Sequence, residues 1–115
     1  MRPEARRLAV LDGEHLSAQT FGDRSLEREL LALFDGQCAR LLPVLADAPE
    51  IDGVQAAHTL KGAAGAIGAF RVASLCGAVE TALGEGRSRP LVARLLRSLA
   101  GAVDEARRAA NARSA

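Results

Sequence analysis

Fifteen basic against fourteen acidic residues in a 115-residue chain leave a net charge of +1, which excludes the basic footprint of a nucleic-acid-binding protein. Hydrophobic residues make up 49% but aromatics only 3%, with no Trp or Tyr, so a core must come from Leu, Ala, Val and Ile. Strand formers are scarce and helix formers abundant, which points to an all-helical single domain over residues 1–115.

Residues 1–12 read as an N-terminal arm, with Leu8, Val10 and Leu11 able to pack on the domain. Asp12 is placed to cap a short helix over Glu14–Thr20 that ends near Gly22. Asp23 or Ser25 can cap the next, longer helix. Its stripe runs Leu26, Leu30, Leu33, Gln37, Leu41, Val44, widened by Leu31, Phe34, Cys38 and Leu45. Pro43 should tighten its last turn and DAPEIDG should break it. A central helix is expected from Pro49 or Glu50 to Ile67, stopped by Gly68. A fourth follows over Ala69–Leu83, with Val72, Leu75, Cys76, Val79 and Leu83 inward. After GEGRSR, Ser88 can cap a last helix with Pro90 in its first turn and Leu91, Leu95, Leu99, Val103, Ala106 and Ala110 inward. Residues 108–115 turn polar and should fray. Four long amphipathic segments with short connections predict an antiparallel up-down four-helix bundle with a short extra N-terminal helix. A helical hairpin completed by dimerisation is the competing architecture; a monomer is expected.

No apolar run reaches the roughly 18 residues of a membrane span, and the amino-terminal stretch lacks the apolar region of a signal peptide. Cys38 and Cys76 lie within apolar helical patterns and have no metal-ligand spacing with either histidine, His15 or His58. They read as small buried hydrophobes in a reducing, cytoplasmic setting, with no metal site.

The stretch AAHTLKGAAGAIGAF, residues 56–70, carries the chemistry. With about 100° per residue and His58 set at zero, Gly53, Ala56, Leu60, Ala64 and Ile67 fall between roughly 160° and 240°. Ile51, Val54, Gln55, Lys61, Gly62 and Gly65 fall within about 60° of the histidine. His58 therefore faces away from the core. Gly62 and Gly65 each cost about 1 kcal/mol relative to Ala in mid-helix, and close approach by another molecule would explain them. Packing on a neighbouring helix is the other explanation, but their face points outward. Ile51 and Val54 would form an apolar rim suited to docking. Lys61, the only lysine in the chain, sits one turn ahead of His58 and can neutralise phosphoryl oxygens as a point charge.

A neutral imidazole is a nucleophile at neutral pH and can accept a phosphoryl group. No P-loop, Gly-rich nucleotide site or nearby acid is evident, so metal and most transition-state stabilisation must come from a partner. A His-dependent hydrolase is disfavoured, because Glu50 and Asp52 lie about a turn or more from His58 and no Ser or Cys nucleophile shares its face.

His58-Thr59-Leu60-Lys61-Gly62, then Ala63-Ala64-Gly65-Ala66-Ile67-Gly68-Ala69, then Leu75-Cys76 and Glu80, resembles the histidine-containing phosphotransfer (HPt) domain. The resemblance spans most of the chain. It implies a four-helix bundle and a stoichiometric phosphoryl carrier rather than an enzyme. His58 would take the group from a receiver-domain aspartate of a hybrid histidine kinase and pass it to a response regulator. By position it also implies that Lys61 contacts phosphoryl oxygens, Gly62 admits the partner, and Cys76 and Glu80 are structural. Ile51, Val54, Gln55 and Gly65 are candidate docking residues, with Arg71 a further candidate. No cofactor is expected on this chain; Mg2+ belongs on the partner's receiver domain. The alternative is an interaction module of the same fold that binds a kinase or receiver domain without being phosphorylated.

Overall fold

The computed structural model describes residues 9–47 and 49–114, and the expectation for Leu8 and most of the arm lies outside them. Five helices and no strand occur among the described residues: α1 (Gly13–Gln19), α2 (Arg24–Asp47), α3 (Pro49–Ile67), α4 (Phe70–Gly84) and α5 (Arg89–Ser114). Helices α2 to α5 pack each on the next, α5 closes back on α2, and α1 lies against α3. This is the expected four-helix bundle with one short extra helix. None of the described helices is long and apolar enough to cross a membrane.

Local signals account for most of the boundaries. Asp12 caps α1, its side chain accepting from the His15 N–H at 3.1 Å. Between the two candidates for capping α2, the structure selects Asp23, whose Oδ1 accepts from the Ser25 and Leu26 amides at 2.9 and 3.1 Å. Gly68 ends α3 at φ +82, where a Cβ would stand 2.8 Å from the Asp12 carbonyl oxygen. The Asp12 amide donates to the Gly68 carbonyl and the Arg71 amide to the Ala9 carbonyl, at 2.9 and 3.0 Å. Residues 9–12 are thus fastened over the α3–α4 turn, with Val10 and Leu11 half-buried on the core. Ser88 begins α5 by accepting from the Leu91 and Val92 amides.

The core is Leu31, Phe34, Cys38, Leu41 and Leu45 of α2, a small-residue face of α3, Val72, Cys76 and Val79 of α4, and Leu99, Val103 and Ala106 of α5, closed by Leu16. Burial raises the Cys38 thiol to about 11 and the Cys76 thiol to about 12, so both stay protonated and both are free. On α3 the inward residues are Gly53, Ala56, Ala57, Leu60, Ala64 and Ile67. Their small size brings α4 close: a Cβ on Gly53 would meet Leu83 Cδ1 at 2.8 Å.

Two expectations are corrected. Of the expected α2 stripe only Leu41 is fully buried, alongside the set expected to widen it, while Leu33 is 65% exposed and Leu26, Leu30, Gln37 and Val44 are half-buried. The two sets differ by one residue, about 100° of helix, and tertiary packing chose between them. The chosen phase also buries Glu27, at 2% exposure, where Arg113 meets it with Nε and Nη2 both at 3.0 Å. That pair overturns the second expectation over residues 108–114: α5 continues through Ser114 and is clamped to α2. A Cβ on Gly13 would stand 2.6 Å from the Arg113 guanidinium, so α1 leaves room for the same clamp. DAPEIDG does break the helix as expected, α2 ending at Asp47 and α3 starting at Pro49.

Candidate functional site

The α3–α4 turn sets the register of the site. It is two residues long, so residues equally distant from it lie side by side on the antiparallel pair. His58 is ten residues before Gly68, and Glu80 is eleven after Ala69. The structure brings them together: His58 Nδ1 lies 3.0 Å from Glu80 Oε2, and Lys61 Nζ donates to Glu80 Oε1 at 2.7 Å.

The His58 side chain is 61% exposed and that of Glu80 24%. The Lys61 hydrogen bond holds the Glu80 carboxyl below its ordinary value; burial opposes this and the His58 hydrogen bond reinforces it. Glu80 is therefore ionised at neutral pH. A carboxylate only accepts, so a neutral His58 carries its proton on Nδ1 and leaves the Nε2 lone pair free. The ring is held at one nitrogen and open at the other. Glu80, assigned a structural part by the resemblance, is in the site, and the expectation of no nearby acid is corrected. The register of the short hairpin was the signal that could have found it.

The other candidates fall as follows. Ile51 is 80% exposed and Val54 42%, on the outer face of α3 before the histidine. Gln55 is exposed and donates to Thr59 Oγ1 at 3.3 Å. Gly62 and Gly65 follow the histidine, and a Cβ at either would meet nothing within 4 Å. The bundle's own packing therefore requires neither glycine. Gly36 and Gly101 are equally open in mid-helix, so openness alone marks nothing; it is the position beside His58 that gives Gly62 and Gly65 their meaning. Arg71 is not brought to the site. It pairs with Glu105 of α5 at 2.8 Å and lies nine residues, about 13.5 Å along α4, from Glu80. Glu50 pairs with Arg89 at 3.6 Å, away from the imidazole.

Two surface grooves, one between α2 and α5 around Arg28 and Arg107 and one at the far end around Leu83 and Val92, do not reach His58. The imidazole stands on an open helix surface, which suits transfer to a docking partner and not turnover of a small substrate in a cleft. Among the described residues no group of three or more His, Cys, Asp or Glu could hold a metal ion.

Comparison with known proteins agrees with this geometry. No curated protein and no solved structure matches the chain. A family model described as the Hpt domain matches residues 25–109. That span takes in α3, α4, nearly all of α2 and most of α5, together with His58, Lys61 and Glu80. The chain therefore belongs to the Hpt domain family, the helical phosphotransfer modules of two-component systems that interact with receiver domains.

Proposed function

We propose that His58 is the phosphorylated residue of a cytoplasmic, monomeric phosphocarrier. It accepts a phosphoryl group from the receiver-domain aspartate of a hybrid histidine kinase and passes it to a response regulator. One observation carries this reading: an exposed imidazole is fixed at Nδ1 by an ionised Glu80, leaving Nε2 as the only free ring nitrogen.

In the transfer, the Nε2 lone pair forms a bond to phosphorus while the bond from phosphorus to the aspartyl oxygen breaks, its electron pair leaving with the receiver's carboxylate. The Nδ1 proton stays on the ring, and Glu80 Oε2 faces the positive charge that develops there. Lys61 supplies the local cation for phosphoryl oxygens. The receiver brings its own Mg2+; this chain contributes nucleophile, orientation and access. Ile51, Val54 and Gln55 form the docking rim before the histidine. Gly62 and Gly65 leave the backbone bare beyond it, where the partner's loops must come within a few ångströms of Nε2.

Mixing the chain with a receiver domain charged by acetyl phosphate tests this. Acid-labile label should move to the wild type and not to His58→Gln. Equal labelling of the variant sinks the assignment; tight receiver binding with no phosphohistidine would identify the chain as a non-phosphorylated docking module.

A further inference from the structure

Glu80 divides its two oxygens between groups with different fates. Oε2 faces the ring nitrogen that keeps its proton throughout. Oε1 holds the ammonium that the phosphoryl group will need. Lys61 is the chain's only lysine, and among the described residues no arginine pairs with Glu80. The Lys61 stem lies over α4, its Cδ 3.7 Å from where a Cβ of Gly77 would stand, and the side chain is 41% exposed. It is anchored at its tip and partly open to solvent.

Phosphorylation at Nε2 changes the balance. Before it, one ammonium faces one carboxylate. After it, a phosphoryl group of about −1.5 to −2 charge stands within reach of the same ammonium. We propose that Lys61 changes partner in the phosphorylation cycle, held by Glu80 in the free protein and shared with the phosphoryl oxygens once His58 is charged. Glu80 thereby weakens the hold of Lys61 on the phosphoryl group and keeps that group transferable. This rests on the phosphocarrier reading. It makes Glu80 a positioning residue that acts through Lys61, in addition to its hold on the ring.

The test charges the full chain with phosphoramidate, without a receiver. His58 Nε2 bonds to phosphorus, the P–N bond of the reagent breaks, and its nitrogen leaves as ammonia. His58→Gln identifies the phosphorus resonance of His58. Two nuclear magnetic resonance readings follow. The single lysine Nζ signal should respond to Glu80→Gln in the uncharged protein and respond much less in the charged one. The acid ionisation constant of the phosphoryl group, titrated by its phosphorus shift, should rise with Glu80→Gln about two- to fivefold more in the wild-type background than in Lys61→Met. The direct removal of the carboxylate charge is common to both backgrounds and cancels in that cycle. Equal responses in the two backgrounds, or an Nζ signal that follows Glu80 as closely after charging as before, overturn the exchange. The receiver assay decides the carrier reading separately: a chain that takes label from a receiver but shows no lysine response loses only this inference.

Discussion

Two glutamates bridge helices of this bundle, and they do opposite work. Glu27 is almost fully buried, and a single guanidinium from Arg113 takes both of its oxygens at 3.0 Å. Glu80 is partly exposed and splits its oxygens between an imidazole and an ammonium. In the first arrangement Arg113 supplies both hydrogen bonds, and without it only the exposed Arg24, 4.0 Å away, would face the buried charge. The second has water at its edge, so either partner can be exchanged at small cost. The same residue type thus makes a clamp at one end of the bundle and an adjustable contact at mid-height. The difference lies in burial and in how many groups share the carboxylate.

Replacing the proposed nucleophile is the sharpest way to break this comparison. His58→Gln should reduce receiver-dependent labelling to background while leaving the thermal unfolding curve in place. The clamp comes next. Arg113→Met should lower stability by about 2 kcal/mol, because it leaves buried Glu27 facing only the exposed Arg24, 4.0 Å away. Transfer, assayed well below the lowered melting temperature, should be retained, and denaturant unfolding measures the loss.

At the adjustable contact the readouts should reverse. Glu80→Ala should leave the unfolding midpoint unchanged and slow transfer about tenfold, by freeing the ring to populate both tautomers. The pH dependence has a definite sign. The folded-state carboxyl is held below its ordinary value near 4.5, so its contribution is complete above that value and fades only as pH falls through the depressed one. Between pH 5 and 8 Glu80 should stay ionised, which a carboxyl carbon titration checks.

Gly62→Gln fills empty space on α3. Stability should rise by up to about 1 kcal/mol while transfer slows, because the bundle's packing makes no use of the glycine and the proposed docking does. Unimpaired transfer would remove Gly62 from the contact surface. The smallest effect belongs to Phe21, which is 91% exposed and holds φ +56 where α1 ends. Its amide and that of Gly22 donate back to Ala18 and Ser17, a helix stop that favours glycine. Phe21→Gly should stabilise the chain by about 0.5 kcal/mol, the relief of the left-handed strain exceeding the added backbone entropy.

Much of this protein was legible before folding was considered. The caps at Asp12 and Ser88, the stop at Gly68 and the outward direction of His58 depend on residues within a turn or two of each other, and helical geometry relates such residues directly. The α2 face, the clamp and Glu80 are different. Leu at both phases of α2 left its rotation open, and only the neighbouring helices, with Arg113 arriving from 86 positions away to meet Glu27, decided which set went inward. Glu80 is 22 residues from His58, and its helix carries no local mark that separates it from a solvated surface acid. The sequence alone determined which histidine is the proposed nucleophile and that its face is open. Tertiary structure decided which nitrogen of that nucleophile is free, because the group that fixes the ring comes from the next helix.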